Sequence, residues 1–364
     1  MKHIDRYISK QFLTSFFFSL LAFIIIFILI DMMEKLDDFI DANAPTNVVI
    51  NYYLFFTPEI IKLMTPVAVL LGALFVTGRF SSQNELAAMK ASGISLYRYM
   101  LPFFIITTVI CLLSIYFNGW TVPYANQKRL YIERAHLHRG NKASLKFNLF
   151  FQVTPERIMS VNYYDSHTKT ASRVSIIDLA KDDPTQIAQR FDAQNMIWKE
   201  DSSKGIWILK NGKIQNFAAD TSIRIMKFAE LPLADLLLTP TDIEKKQLTP
   251  DEMNMYELKE FIANQKRVGQ DVARWQVEYH FKIAFPFASI IMILFGIPFA
   301  CNRPRTGAAL GFGIAVAVTF LYLGFMKASQ VFGYNGDLNP FVTAWLANFI
   351  FLIAGIFNLI RVQK

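Results

Sequence analysis

Long apolar stretches occupy the two ends of the chain, whereas the middle has the mixed pattern of a globular domain. A helix needs about 20 apolar residues, at 1.5 Å each, to cross a hydrocarbon core of about 30 Å. Six stretches meet this requirement, three on each side of the middle region: Gln11–Ile30, Tyr52–Gly78, Tyr99–Gln127, Ile283–Asn302, Thr306–Met326 and Leu338–Ile360. The pattern predicts six membrane-spanning helices, because a helix satisfies its own backbone in lipid and no barrel-like alternation is present.

The first stretch follows Lys2, Arg6 and Lys10, as the apolar part of a signal peptide would. Its apolar run is too long for a signal peptide, and Asp31-Met-Met-Glu34 follows where a cleavage site would need small residues. We therefore expect a retained helix.

The region between about Lys128 and Lys282 has shorter, alternating segments that are typical of strands. Asn211-Gly212, between two apolar arms, predicts a type I′ hairpin. Two alternating segments change phase once, at Ile176-Ile177 and at Ile225-Met226, which indicates either a β-bulge or a strand that changes face. We expect an antiparallel β-sandwich or open roll.

A helix is predicted at the end of this region. Thr249-Pro-Asp-Glu252 fits a capping box, with proline at the first helical position. Met255, Leu258 and Ile262 then recur on one face, and Gly269 ends the pattern. The predicted divisions of the chain are 1–127 for the first three spans, 128–270 for the β domain with its helix, and 271–364 for the last three spans.

Charge gives the predicted orientation. The short segments 1–10, 79–98, 301–306 and 361–364 hold ten lysines and arginines against two acidic residues. Retained basic residues mark the cytoplasmic side, so both termini are expected in the cytoplasm and the β domain outside it. These segments account for the whole net charge of +8, so the basic balance does not indicate nucleic-acid binding.

Motifs for autonomous catalysis are absent from the sequence. It has no phosphate-binding G-x-x-x-x-G-K-[ST] loop, no G-x-S-x-G elbow and no H-E-x-x-H. His136 and His138 have a chelating spacing on a strand, but their polar, basic surroundings favour a solvated surface. No buried run of carboxylates or histidines is predicted in the spans, so ion-coupled transport also lacks its residues. We therefore expect neither an enzyme nor a metal site.

The loop after the second span predicts a short helix at about 81–93. Ser81 or Ser82 can cap it, Glu85 favours its first turn and Gly93 ends it. Leu86, Met89 and Lys90 would share one side of this helix. From the spacing alone, a cytoplasmic partner and the lipid surface are equally good candidates to cover that side.

Several motifs resemble the LptF/LptG family of lipopolysaccharide export permeases, in order along the whole chain. They are Ile4-Asp-Arg-Tyr-Ile-Ser-Lys10, Pro66-Val-Ala-Val-Leu-Leu-Gly-Ala-Leu74, Glu85-Leu-Ala-Ala-Met-Lys-Ala-Ser-Gly93, Trp120-Thr-Val-Pro123, Gly269-Gln-Asp-Val-Ala-Arg-Trp-Gln276, Arg303-Pro-Arg-Thr-Gly307 and Leu338-Asn-Pro340. The loop motif is the most specific of these. The opening motif and Gly269–Gln276 lean towards LptG, whereas the last two lean towards LptF.

The resemblance implies a subunit of a transporter in the bacterial inner membrane. Family members pair as an F–G heterodimer with a dimer of the ATPase LptB, which uses ATP and Mg²⁺, so no cofactor is expected in this chain. The β domain would be a periplasmic jellyroll that passes lipopolysaccharide to an LptC-like protein. The segment Glu85–Gly93, including Ser92, would be the helix that couples to the ATPase. Glu85 would pair with a basic residue there, and Leu86 and Met89 would fill its groove.

The chemistry of the substrate indicates which residue types would bind it, since lipopolysaccharide presents phosphates above its acyl chains. The candidate phosphate-binding cations at the outer ends of the first three spans are Lys35, Lys62, Arg129 and Arg134. The alternative for Lys62 is an ion pair with Glu59, one turn away.

Apolar and small residues are the candidates for an acyl cavity or a lateral gate. In the first span, Phe16–Phe18, Phe23 and Phe27 would line the cavity or gate, with lipid-facing positions as the equal alternative. In the fifth, Gly307, Gly311 and Gly313 have close-packing spacing. The competing reading of the whole chain is a non-transporting membrane scaffold or sensor whose β domain binds an envelope partner.

Overall fold

The computed structural model describes residues 3–137, 145–165, 168–180, 186–199, 205–217, 223–233, 236, 238–240, 243, 249–267, 269–301 and 308–361. The chain forms two compact units. The helical unit comprises Met1–Leu130, Pro250–Lys259 and Ala273–Lys364, and the sheet unit comprises Tyr131–Thr249 and Glu260–Val272.

The first half of the helical unit contains three long helices and one short helix. Helix α1 spans His3–Asp41, α2 spans Thr46–Ser82, α3 spans Glu85–Ala91 and α4 spans Leu96–Tyr116. A π-helical turn at Phe117–Thr121 joins α4 to α5, Val122–Ile132. The predicted first three spans are confirmed as helices.

The second half begins with a 3₁₀ turn at Pro250–Glu252. Helix α6 spans Met255–Arg267 and α7 spans Ala273–Ala284, which a 3₁₀ turn at Phe285–Phe287 joins to α8, Ala288–Cys301. Helices α9 and α10 span Ala308–Tyr334 and Pro340–Arg361. Among the described residues, six helices or joined helices are long and apolar enough to cross a membrane, so the predicted three-plus-three arrangement is confirmed.

The fourth span begins earlier than the sequence predicted. The apolar run begins at Ile283, but the helical span begins at Ala273. The charged side chains in the first turns of this span have hydrogen-bonding and charged neighbours inside the helical unit. The helix can therefore begin before the apolar run does.

The cap of α6 also differs from the prediction. Thr249–Glu252 leads into the 3₁₀ turn, and Asn254 caps the helix instead. Its Oδ1 accepts hydrogen bonds from the backbone N–H groups of Tyr256 and Glu257, both at 2.9 Å. The Glu257 carboxylate accepts from the N–H of Asn254 at 3.0 Å, which completes a capping box. The predicted end at Gly269 is confirmed by its φ of +76°.

Close packing joins α1 to α2. Phe12 and Phe16 are 0% and 5% exposed. A Cβ on Gly72 of α2 would lie 3.1 Å from the backbone nitrogen of Phe16 and 3.3 Å from the ring of Phe12. The absence of a side chain at Gly72 lets the two helix backbones approach this closely.

The sheet unit contains one six-stranded antiparallel sheet in sequential order. Its strands are β1 Leu145–Thr154, β2 Arg157–Asp165, β3 Thr170–Leu179, β4 Ile187–Lys199, β5 Ile206–Phe217 and β6 Ile223–Leu233. One face carries a core that includes Met159, Tyr164, Met196 and Trp207, each 0% exposed. The buried indole of Trp207 donates a hydrogen bond to the carbonyl of Leu238 at 2.6 Å.

The predicted hairpin at Asn211-Gly212 is wrong, because both residues lie inside β5. Asn211 has the left-handed φ of +52° that the turn signal requires. However, β5 pairs with β4 and β6 on both sides of this point, and the ring of Phe228 occupies the space that a side chain at Gly212 would need. The long-range pairing therefore overrides the local turn preference.

The predicted bulges are also displaced. No register shift occurs at Ile176-Ile177 or at Ile225-Met226. The irregular positions of β3 are Arg173, with a φ of +54°, and the register shift between Asp178 and Leu179. Ile225 and Met226 lie side by side on an edge strand with both side chains exposed, so no core face imposes an alternation there.

Candidate functional site

A group of charged side chains lies in the helical unit, about 30 Å along α2 from the junction with α3. The Nζ of Lys62 is 3.2 Å from Oε1 of Glu59 and 3.4 Å from Oδ1 of Asp251, in the 3₁₀ turn before α6. The other oxygen of Glu59 accepts a hydrogen bond from Asn126 at 2.9 Å. The ion pair with Glu59 that the sequence offered as an alternative is therefore present.

A third carboxylate, Glu278 of α7, accepts hydrogen bonds from the amide of Gln330, at 2.6 Å, and from the hydroxyl of Tyr334. Lys327 donates to Gln330 at 2.9 Å. Lys282, one turn beyond Glu278, is only 7% exposed. The second, fourth and fifth spans thus all place charged or polar side chains in this region.

Lys282 links the two groups electrostatically. Its ammonium interacts with the charges of Lys62, Asp251, Glu278 and Glu59. These five residues are called the lysine–carboxylate cluster below. Burial alone would raise the pKa of the Asp251 carboxyl, but Lys62 and Lys282 outweigh it and hold that pKa below its usual value. Asp251 is therefore ionised at neutral pH.

The sequence did not predict this cluster, although it places Glu59 and Lys62 near the start of the second span. Asp251 is 189 residues from Lys62 along the chain, and Glu278 and Lys282 precede the apolar run of the fourth span. One signal was available. Acidic and basic residues recur one turn apart, as Glu59 with Lys62 and Glu278 with Lys282, at the same end of two spans.

Two of the other predicted phosphate-binding cations, Lys35 and Arg129, lie on aromatic side chains of α2. Lys35 donates to the hydroxyl of Tyr52 at 2.6 Å. The guanidinium of Arg129 lies 5.0 Å from the ring centre of Phe56, whose ring stacks on that of Tyr52 at 6.2 Å. The Nε of Arg129 is buried without a hydrogen-bond partner among the described residues. Arg134 belongs to the sheet unit, where it lies in the π-helical turn Glu133–Leu137.

The candidate gate residues have different surroundings. Phe16 is buried in the core between α1 and α2, so the structure does not support a cavity-lining role for it. Phe23 and Phe27 are partly buried, whereas Phe17 and Phe18 are 62% and 72% exposed. Gly311 lies near the start of α9; Gly307 and His138 lie outside the described residues.

The predicted loop helix is present as α3, shorter than expected. Ser81 and Ser82 still belong to α2, and Asn84, with a left-handed φ of +59°, precedes Glu85. Gly93 has a φ of +83°, which confirms the predicted end. Ser92 is exposed, and its hydroxyl donates to the carbonyl of Met89 at 2.8 Å.

The apolar residues of α3 face this chain's own helices. Leu86 is 6% exposed and belongs to the core that includes Ile8, Phe80 and Leu96, and Met89 packs against the same core. The structure therefore does not support a groove-filling role for Leu86 in a partner. Glu85 is half-buried, and its carboxylate lies 3.5 Å from the hydroxyl of Tyr7.

These features define a multi-pass membrane protein with an antiparallel sheet inserted between its third and fourth spans. The sequence model of a family described as "Lipopolysaccharide export system permease LptF/LptG" matches residues 6–361. The chain belongs to the LptF/LptG family.

Curated relatives span nearly the whole chain. LptF of Escherichia coli strain K12 is 22% identical over 97% of this chain and 93% of its own length. LptG of the same strain is 23% identical over 98% of both chains. LptG of Haemophilus influenzae is 23% identical over 87% of both chains. These similar values favour neither LptF nor LptG.

Proposed function

We propose that this chain is the membrane-spanning subunit of an ABC transporter that extracts lipopolysaccharide from the inner membrane. It would pass the lipid through its periplasmic β domain to an LptC-like protein and onward to the outer membrane. The observation that carries this proposal is the family match over residues 6–361, with the inserted sheet and the α3 helix in the expected order. Both termini would lie in the cytoplasm, as the distribution of basic residues predicts.

Energy would come from a separate subunit, since the sequence has no phosphate-binding loop. An LptB-type ATPase dimer would bind ATP and Mg²⁺, and this chain would pair with a sister LptF or LptG subunit. The ATPase would contact α3 and the loop around it. In the structure, α3 offers Glu85 and the exposed residues Ala87, Ala88 and Lys90 for that contact.

Reversal of the charge at Glu85 tests the partnership. In co-expression with an LptB-type ATPase and the sister subunit, Glu85→Arg should weaken ATPase recovery more than about 30-fold, because an unpaired interface charge costs about 2–5 kcal/mol. Glu34→Arg is the matched control, because it makes the same charge reversal at an exposed position near the C-terminal end of α1, and it should keep full recovery of the ATPase. Full recovery with Glu85→Arg would show that α3 is not the coupling element.

Photo-crosslinking distinguishes the permease from the scaffold or sensor. A photoreactive residue at Phe27, partly buried on α1, should crosslink to lipopolysaccharide during ATP turnover. The same residue at Tyr256, which is 74% exposed in α6, serves as a comparison position. No crosslink from Phe27 during turnover would favour the scaffold.

A further inference from the structure

The first turns of α1 share a core with α3 and α4. Ile8 of α1, Leu86 of α3 and Leu96 of α4 belong to one hydrophobic core and are 1%, 6% and 6% exposed. Beside this core, Oδ2 of Asp5 accepts a hydrogen bond at 2.7 Å from Nη2 of Arg98, in the first turn of α4. The side chain of Asp5 is 11% exposed and that of Arg98 is 35% exposed. A partly buried ion pair therefore connects α1 directly to α4.

The position of Arg98 does not stabilise its own helix. A cation in the first turn of a helix is unfavourable, because the N–H groups at that end carry a partial positive charge. Ser95 already caps α4, since its side chain accepts a hydrogen bond from the backbone N–H of Arg98 at 3.3 Å. The favourable interaction of the Arg98 guanidinium is therefore its contact with Asp5.

A hydrogen-bonded corner joins α3 to α4. The backbone N–H groups of residues 92–94 donate to carbonyl groups of α3, at distances between 3.0 and 3.1 Å. The next residue, Ser95, is the cap of α4. Because every residue of this corner is held by one of the two helices, a displacement of α3 also moves the start of α4 and the guanidinium of Arg98.

Helix α1 is packed unevenly along its length. The buried residues of its N-terminal half are Asp5, Ile8, Phe12, Phe16, Ser19 and Leu20. From residue 21 to residue 38, a stretch that the structure describes in full, no side chain of α1 is buried. This stretch is about 27 Å long. Movement of the N-terminal half of α1 therefore shifts a long helical segment that has no buried anchor before Phe39.

We propose that Asp5 and Arg98 are positioning residues, whose ion pair transmits a displacement of α3 to α1. This inference rests on the proposed function, in which the ATPase displaces α3 and the helical unit moves lipid. The apolar core alone would let α1 slide against its neighbours, because hydrophobic contacts are non-directional. The charged hydrogen bond fixes one relative position, so α1 moves together with α3 and α4.

The amount of lipopolysaccharide extracted per ATP hydrolysed measures this transmission. The assay uses the complete complex of this chain, its sister subunit and the ATPase in lipopolysaccharide-containing vesicles, with an LptC-like protein as acceptor. In Asp5→Asn this ratio should fall about fivefold, at the lower end for allosteric coupling because Arg98 is partly exposed. Recovery of the ATPase and the rate of ATP hydrolysis should stay within about twofold of the wild type, since the contact of α3 with the ATPase is unchanged.

Asp337→Asn is the matched control, because it removes the same charge from an exposed position far along the chain, and it should keep the wild-type ratio. A wild-type complex that extracts lipopolysaccharide, together with equal ratios for Asp5→Asn and Asp337→Asn, overturns the transmission role alone. A wild-type complex that hydrolyses ATP but extracts no lipopolysaccharide overturns the proposed function itself, and this inference with it.

A double-mutant cycle separates the ion pair from other effects of either substitution. Arg98→Gln should lower the ratio by a factor similar to that of Asp5→Asn. The combined variant should show no further loss, because both substitutions remove the same interaction. Losses that multiply in the combined variant contradict the proposal. A parallel fall of ATP hydrolysis and extraction, which leaves the ratio unchanged, contradicts it as well.

Discussion

Substitution of Leu86 by alanine distinguishes two possible roles of this residue, packing in the chain's own core and contact with the ATPase. In the structure Leu86 is 6% exposed within the core that also contains Ile8 and Phe80. Replacing a buried leucine by alanine costs about 2–5 kcal/mol. Because α3 has only seven residues and one buried face, we take the lower end, about 2 kcal/mol, which makes local opening of the helix roughly 30-fold more frequent.

Hydrogen exchange of the backbone amides measures this opening directly. The amide of Ala88 donates to the carbonyl of Asn84, and that of Ser92 donates to the carbonyl of Ala88, both at 3.0 Å. With this chain and its sister subunit but without the ATPase, Leu86→Ala should accelerate exchange of these amides about 30-fold. Ala87→Ser, at an exposed position of the same helix, should leave their exchange unchanged.

The reasoning is refuted if Leu86→Ala leaves exchange in α3 unchanged and instead reduces association with the ATPase. That result would place Leu86 at the partner, as the family resemblance first suggested. If exchange increases and association also falls, the loss of binding follows from a less stable helix.

Two further predictions concern the sheet unit. Gly212→Ala should lower the free energy of unfolding by about 1–3 kcal/mol, because its Cβ would lie 2.5 Å from the carbonyl oxygen of Asp192 and would meet the ring of Phe228. Gly313→Ala, at a position with open space around it, is the control. Equal melting temperatures for the two variants would contradict the packing described at Gly212. Trp207→Phe should lower the free energy of unfolding by about 1–3 kcal/mol beyond the effect of the smaller side chain, because it leaves the carbonyl of Leu238 without its hydrogen bond. Denaturant unfolding followed by intrinsic fluorescence measures this loss. An unfolding midpoint equal to that of the wild type would speak against the hydrogen bond.

The six spans and their division were readable from the sequence because the requirement for each is local. About 20 apolar residues suffice to predict a helix in lipid, whatever its neighbours are. The end of α3 at Gly93 was readable for the same reason, since a left-handed residue is needed at that point and glycine adopts it without strain. The family could also be recognised from short motifs such as Glu85–Gly93.

Features that depend on contacts between distant segments could not be read in this way. Asn211-Gly212 has the local signature of a hairpin, yet pairing with β4 and β6 keeps it inside a strand. Leu86 occupies the position of a free apolar face, yet the core formed with α1 and α2 covers it.

The sequence by itself therefore determined the membrane class, the three-plus-three order and the family, because hydropathy and short motifs are properties of contiguous residues. Only the tertiary structure decided which charges meet. In the sequence, Lys62 has one charged neighbour a helical turn away, Glu59. In the folded chain Asp251 and the buried Lys282 also lie near it. An ion pair depends on distance in space rather than along the chain, and this cluster joins segments that are up to 223 residues apart (282 − 59).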